Sequence, residues 1–517
     1  MFPNIRSLFI WCLAAWLEVE GANLPSRPKP IVVSQCPPSN AGIPLDSFVS
    51  FSFELSSWPD FAGNLTHPNT FSYNLLNNIG QLQGSMPIAR VGGNTQDIAI
   101  FDASQKTGLI GVIRPNISAD YPTIITIGPS FFDSYKTMPK GTRYTHGFNL
   151  GANSSAARAA TFASAAYACK AIGDNLDYWE YGNEPDLFHA SGYRPSNYSD
   201  ADYVAEWLNG TSQIERVVQK ACPSLQGTKF MAPSMAGVGA NGYNTLHPVK
   251  VFADDLNADN NIGIISSHNY MGVSTFPGIT LQGTLMNHTN VIAKAEAQVN
   301  VSRNIAALGG DLAPKVPFIL GEHNSLARQG RPEYQSFAYA SRDELSLPIL
   351  ATHSNEPYSE RHQTSLLWQL GCSSYDGKNL CFFCLANHPS GSFVSKYVLL
   401  YSAHINDTLS RILIVDLHTY NTTANNYTTG FPRPVVEHEF MLPKGCKGGD
   451  VQRLMANGSD AVTGITWDAK SYAYELDNGK GVRLSNVTCG EKVKVDGKGI
   501  VKVQVPWSSA AIVSLDC

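Results

Sequence analysis

The sequence predicts an α/β chain, a (β/α)8 TIM barrel followed by a separate all-β sandwich, and three features carry that prediction. Between about residues 47 and 330, seven short apolar runs alternate with longer helical stretches, the rhythm of a parallel sheet wrapped by helices. Several runs end in polar residues that a strand interior would not accommodate, and a barrel collects its chemistry at the carboxyl ends of its strands. From about residue 400 the texture changes to short β-rich pieces broken by turns, such as SRILIVDLHTY and EKVKVDGKGIVKVQVPWSSAAIVSL.

Taken in order, the chain opens with MFPNIRSLFIWCLAAWLEVEGANLP, where Arg6 precedes an apolar run from Leu8 to Leu17 and small residues follow at Gly21 and Ala22. That layout predicts a secretory signal peptide over 1–22, and the run is too short to span a bilayer. Residues 23–45 are proline-rich and read as an extended arm with one short strand for the sandwich to take up. The runs FVSFSFEL, PIARVGGN, TIITIGPS, LDYWEYGNEP, KFMAPSMAG, IGIISSHNY and VPFILGEHNS are counted as barrel strands one to seven. Stretches such as SAARAATFASAAYACKAIG lie between them as helices. The barrel is assigned 46–398 and the sandwich 399–517.

Composition narrows the function. The 517 residues are 43% hydrophobic and 15% charged, with a net charge of −5 and no basic tract, so nucleic acid is not an expected partner. No second segment reaches the length of a membrane span, so no membrane contact is expected after signal cleavage. A dozen Asn-x-Ser/Thr sequons fit export to the extracellular space: Asn64, Asn116, Asn153, Asn197, Asn209, Asn287, Asn300, Asn406, Asn421, Asn426, Asn457 and Asn486. Of ten cysteines, Cys12 falls in the signal, and none joins a metal-spaced Cys/His set. Disulfides are therefore expected rather than a zinc site, and no metal or cofactor is implied.

The polar strand ends gather two carboxylates on one rim. Glu184, set between Asn183 and Pro185, closes the fourth run, and Glu322 closes the seventh. Glycoside hydrolysis needs such a pair, one carboxyl to protonate the leaving oxygen and one to act at the anomeric carbon. Glu54 ends the first run, Asn94 and Asp97 the second, His268 and Tyr270 the sixth. His268 reads as a packed or supporting histidine, and Arg90 as a buried ion-pair partner.

The stretches SFSFELSSWPDFAGN, RVGGNTQD, WEYGNEPDLF and ILGEHNSLARQGRP, in this order, resemble glycoside hydrolase family 79, the β-glucuronidases and heparanases of the clan of retaining (β/α)8 glycosidases. The resemblance implies Glu184 as acid/base and Glu322 as nucleophile. It implies Asn183 as donor to the sugar 2-hydroxyl, and Tyr270 as the group that orients Glu322. Glu54 and Asp97 would accept from hydroxyls on the non-reducing side, and Asn94 is counted with the substrate-binding residues. Backbone N–H groups of 327–332, Gln329 and Gly330 among them, would hold the uronate carboxylate. Better-known members carry Tyr where this chain has Ala327, and Arg328 stands beside it to compensate.

The resemblance stops after Pro332 and resumes near SRILIVDLHTYN. Residues 333–398, with CSSYDGKNLCFFC crowding Cys372, Cys381 and Cys384, read as a shifted reading frame or misplaced intron, with a divergent insert as the alternative. Six cysteines then remain: Cys36, Cys169, Cys222, Cys446, Cys489 and Cys517. The expected activity is a secreted retaining exo-β-glucuronidase acting on terminal β-linked glucuronic acid, 4-O-methylated or not, in glycans or proteoglycans. An endo-acting, heparanase-like enzyme and a catalytically impaired carbohydrate-binding protein are the rivals.

Overall fold

The computed structural model describes residues 29–39, 41–42, 44–117, 121–241, 243–328, 397–422 and 432–517, and the backbone of a strand at 380–384. Seven parallel strands lie side by side in chain order: β1 (Phe51–Glu54), β2 (Ile88–Gly92), β3 (Arg143–Phe148), β4 (Leu176–Tyr181), β5 (Phe230–Met235), β6 (Ile262–Val273) and β7 (Phe318–Ala327). They form a nearly closed TIM-like barrel whose two edges are β1 and β7. The expected region of an eighth strand, 333–398, lies outside the described residues apart from 380–384 and 397–398.

The third run is a correction. TIITIGPS does not enter the barrel: its strand, Ile124–Ile127, pairs with Ala99–Phe101 and Leu109–Val112 in a small separate sheet. The third barrel strand is RYTHGF, in which Tyr144, Thr145, His146 and Phe148 are all buried. Its polar and aromatic residues hide it from a hydropathy pattern, because they are interior through hydrogen bonds and ring packing. His146 is one case, taking a 2.6 Å hydrogen bond with the Tyr135 hydroxyl and packing edge-on to Phe148. One strand replaces another, so Glu184 still follows strand four.

The outer helices are capped as their sequences ask. In α1 (Thr70–Gln83) the Asn69 side chain accepts from the N–H of Phe71 and Ser72. Ser154 caps α2 (Ser155–Ile172), and Ser199 with Asp202 makes a reciprocal capping box on α3 (Asp200–Ala221). Pro248–Ala253 is α4, and Asn287 caps α5 (His288–Ala306). A disulfide, Cys169–Cys222, ties the end of α2 to the end of α3.

The C-terminal region is two packed sheets. The larger contains Val398–Ile405, Thr408–Asp416, Ser509–Leu515 and Gly448–Met455, and the smaller contains Ile31–Val32, Val435–Met441 and Ile500–Pro506. The arm strand Ile31–Val32 runs parallel to Val435–Met441, with Ile31 opposite Phe440. Alternation sorts the larger sheet: Leu400, Ile412, Ile414 and Val513 face the sandwich core, while Leu399, Tyr401, Leu413, Val415 and Ile512 join the barrel's core. Leu380–Cys384, assigned by sequence to the barrel, pairs antiparallel with Val398–Ile405 as an edge of this sheet. A second disulfide joins Cys446 to Cys517, and Cys36 and Cys489 are exposed free thiols.

Candidate active site

Glu322 sits on β7 with its carboxylate gripped from two sides. Arg90 on β2 donates to Oε2 at 2.6 Å, and the Tyr270 hydroxyl donates to Oε1. β6 lies against β7 with His268 opposite Glu322 and Tyr270 opposite Asn324. Two residues apart on one strand, His268 and Tyr270 share a face and both reach the site. Burial by itself would raise the Glu322 carboxyl. The charges of His268 and Arg90, with the hydrogen bonds from Tyr270 and Arg90, outweigh it and hold the group well below the ordinary carboxylate range.

Arg90, 4% exposed, is shared. Its Nε donates to Glu180 Oε2 (2.8 Å), NH1 also to Ser52 Oγ (2.8 Å), and NH2 to Asn183 Oδ1 (2.7 Å). Burial disfavours its charge, but Glu180 and Glu322 more than compensate, so the guanidinium stays protonated. The sequence reading of Arg90 as an ion-pair partner misses that one of its partners is the candidate nucleophile.

Glu184 stands at the turn after β4 in the left-handed conformation, with φ 49°. A non-glycine residue pays strain there, and its surroundings hold it. Its N–H donates to the Ser234 carbonyl near the end of β5 at 2.9 Å. Asp97 accepts from the N–H of Leu150 (2.8 Å), Gly151 (3.0 Å) and Asn183 (2.8 Å), fixing the residue in front. Asp186 accepts from the N–H of Ala236 and Gly237, both at 3.0 Å, and from the Asn244 amide at 2.5 Å, fixing the residues behind. Burial pushes Asp97 up to about 7 and Asp186 up to about 6, against the pull of those donors.

His268 bridges the two acids. Its Nδ1 lies 3.0 Å from Glu184 Oε1 and 3.9 Å from Glu322 Oε2. Burial works against a charged imidazole, yet Glu322 and Glu184 overcome it and raise His268 above its ordinary value. Oxygens of Glu184 and Glu322 and a nitrogen of His268 all lie within 4.8 Å of one another. This is the one cluster of metal-type donors found among the described residues. The Arg90 guanidinium on Glu322 already supplies the cation that such a cluster would attract.

A cavity of about 1360 Å³ opens over this cluster, and Glu54, Asn94, Asp97, Asn183, Glu184, Tyr270 and Glu322 all line it. Glu54 accepts from the N–H of Asn94 (3.0 Å) and of Thr95 (3.0 Å), which leaves it at the wall with the loop after β2 wrapped around it. Burial, and then repulsion from Glu322, push its carboxyl up to about 7. Gly93 (φ 80°) makes this wrap feasible: a Cβ there would meet the Glu54 carboxyl carbon at 2.6 Å. Asn94 is exposed and accepts at Oδ1 from the Asn183 amide, 3.1 Å away. Asp97 lines the cavity while its oxygens accept from three backbone N–H groups, which ties the loop after β2 to Asn183. Arg328 lines the cavity past β7, and Gln329 and Gly330 lie outside the described residues. The sequence reading also missed Asp186. Its signal was an acid directly behind Glu-Pro, where a turn needs an acceptor for neighbouring amides.

A family model described as the glycosyl hydrolase family 79 C-terminal beta domain matches residues 400–512. A β-glucuronidase of Aspergillus niger is 42% identical over 514 residues, covering 94% of each chain. A β-glucuronidase of Neurospora crassa is 39% identical over 547 residues, covering 93% of this chain and 96% of its own. Among solved structures, a 4-O-α-L-rhamnosyl-β-D-glucuronidase from Fusarium oxysporum superposes with a TM-score of 0.70 over 94% of this chain and 100% of its own. At 21% identity, that likeness is one of fold.

Proposed function

The chain belongs to glycoside hydrolase family 79 and is a glycoside hydrolase, and from that premise we propose that it is a secreted, retaining exo-β-glucuronidase. Its substrate is a glycan ending in β-linked glucuronic acid. Glu322 attacks C1 while Glu184 protonates the departing oxygen; Glu184 then takes a proton from water as that water displaces Glu322 from the glycosyl-enzyme. The observation that carries the reading is the approach of the two carboxylates, with oxygens within 4.8 Å. Retaining enzymes hold them about 5–5.5 Å apart, whereas inverting ones leave roughly 6.5–9.5 Å for a water.

Arg90 and Tyr270 keep Glu322 anionic for attack. His268 engages one oxygen of Glu184, which leaves the other to face the departing oxygen. Asn183, held through its N–H by Asp97 and through its Oδ1 by Arg90, turns its amide toward the sugar 2-hydroxyl. Arg328, exposed on the wall past the nucleophile, offers charge to the C6 carboxylate. Lys294 and Arg328 are the exposed cationic side chains on the described cavity wall, too few to track a sulfated polymer, which favours exo action. Export is supported by the leader-like N-terminus and by exposed sequons such as Asn64, Asn116, Asn153 and Asn197, although Asn421 is buried.

The test is release of nitrophenol from an aryl β-glucuronide by the purified chain, beside Glu322→Gln. Activity that falls at least about a thousandfold in the variant supports the nucleophile. Proton NMR of the first product distinguishes the stereochemistry. The β-anomer appearing first supports retention, and the α-anomer overturns it.

A further inference from the structure

Asp97 fixes Asn183 only as firmly as the loop after β3 is itself held, and a buried cation grips that loop from behind. Arg194, 5% exposed, lies between the turn after β4 and the start of α3. Its NH2 donates to the Leu150 carbonyl and its NH1 to the Gly151 carbonyl, both at 2.9 Å. The Leu150 carbonyl and the Gly151 N–H belong to one planar peptide group. That N–H donates to Asp97 Oδ1 at 3.0 Å. A guanidinium thus holds one end of a peptide dipole and a carboxylate the other, an alignment in which each hydrogen bond polarises the next. Gly151 allows the two segments to meet so closely, since a Cβ there would lie 2.6 Å from the Asp97 carbonyl oxygen.

Arg194 is fixed in its turn. Its Nε and NH2 both donate to Glu206 on α3, at 3.1 and 2.8 Å. The Tyr198 hydroxyl donates to the same carboxylate at 3.0 Å, and Arg158 on α2 pairs with it at 3.3 Å. The rings of Phe188 and Tyr198 each lie 5.4 Å from the guanidinium carbon. Neither Arg194 nor Glu206 lines the cavity. Whatever the pair does for the reaction therefore travels through the backbone it holds.

Resting on the glucuronidase reading of the same site, we propose that Arg194 is a positioning residue: held by Glu206, it sets the loop after β3 and, through Asp97, aims the Asn183 amide at the sugar 2-hydroxyl. The contacts run without a gap from the guanidinium to the Leu150–Gly151 peptide, to Asp97, and on to the Asn183 N–H at 2.8 Å. Asn183 Oδ1 is pinned separately by Arg90 at 2.7 Å. With that oxygen fixed, a shift of the Asn183 backbone swings its NH2 group, and the donor leaves its line to the substrate.

The experiment compares kcat/KM on para-nitrophenyl β-glucuronide and on its 2-deoxy analogue, which offers Asn183 nothing to bind. Nitrophenolate departs with little help from an acid, so the ratio of the two reports the 2-hydroxyl contact. The wild-type chain is expected to favour the substrate that carries the hydroxyl. In Arg194→Met that ratio is expected to fall about tenfold. In Arg194→Lys, which keeps the charge and loses the fork, it is expected to fall about threefold, and this variant carries the comparison where Arg194→Met does not fold. Added to Asn183→Ala, Arg194→Met is expected to lower the rate on the glucuronide by less than about twofold further, because both act through one contact. A wild-type ratio in the Arg194 variants, which is what a merely structural brace would give by slowing both substrates alike, overturns the role. So do additive losses in the double variant, or a wild-type chain that cleaves the two substrates equally. A wild-type chain that cleaves neither instead overturns the glucuronidase reading on which the proposal rests.

Discussion

Arg90 makes four hydrogen bonds through one side chain, to Glu180, Ser52, Glu322 and Asn183, and so ties the candidate nucleophile to the residue in front of the acid. Arg90→Met leaves Glu180, fully buried, without its counter-charge. A loss of about 3–5 kcal/mol is expected, measured as a lowered denaturation midpoint. Tyr270→Phe removes one donor to Glu322, at a cost of about 10–100-fold in kcat/KM for a hydrogen bond to a charged group. That donor lowers the Glu322 pKa, so without it the acidic limb of the rate profile moves to higher pH. Glu54 works in the other direction. Its folded value of about 7 lies above its ordinary 4.5, so the folded chain keeps a proton that the unfolded chain has lost between those values. Stability then falls as pH rises through that window. Melting of Glu54→Gln across pH 5 to pH 8 should show a shallower decline than the parent. The candidate pair was legible in the sequence as acids in polar stretches that follow apolar runs, although only Glu184 lies in a turn and Glu322 lies within β7. The grip of Arg90 on Glu322 was not, since a guanidinium on β2 reaching β7 depends on the closure of the barrel.

Among elements, the turn after β4 shows how a strained residue is kept in place. Asp97 pins it in front and Asp186 behind, each through backbone donors that need an acceptor. Asp97→Asn puts an amide NH2 among those N–H groups. The expected result is a drop in kcat of about tenfold or more, because the substitution displaces the Asn183–Glu184 turn. The helical stretch SAARAATFASAAYACKAIG was readable, as was the β texture after residue 400. RYTHGF was not, because a strand whose interior side chains are Thr, His and Tyr gives no apolar alternation. TIITIG was read into the barrel because its isoleucines look like a core strand, although Ile124 is 42% exposed in an outlying sheet. The Cys169–Cys222 bond closes a loop across α2 and α3 with a sequence separation of 53. Replacing both cysteines by alanine should lower stability by about 2–4 kcal/mol, seen as a lower thermal midpoint.

Across the whole molecule, barrel and sandwich share a core. Leu399, Tyr401, Leu413, Val415 and Ile512 of the larger sheet belong to one buried cluster with the barrel's Trp58, Tyr144 and Trp179. Asn74 and Asn78 on α1 also donate, each at 2.8 Å, to the carbonyls of Asn478 and Gly479. A single calorimetric transition is expected, and a chain ending at residue 398 should fail to give a soluble folded barrel; two separated transitions would contradict the shared core. The first described strand, Ile31–Val32, adds a constraint of timing, since its partner lies around Phe440 and Met441. A ribosome adding about 5–20 residues per second needs roughly 20–80 seconds to travel from one to the other. Throughout that interval the amino-terminal arm has no strand to dock on, while the barrel segments behind it are already emerging. The arm thus finds its place only after the barrel segments made behind it, and it stays open to processing enzymes and chaperones until the C-terminal sheets begin to arrive.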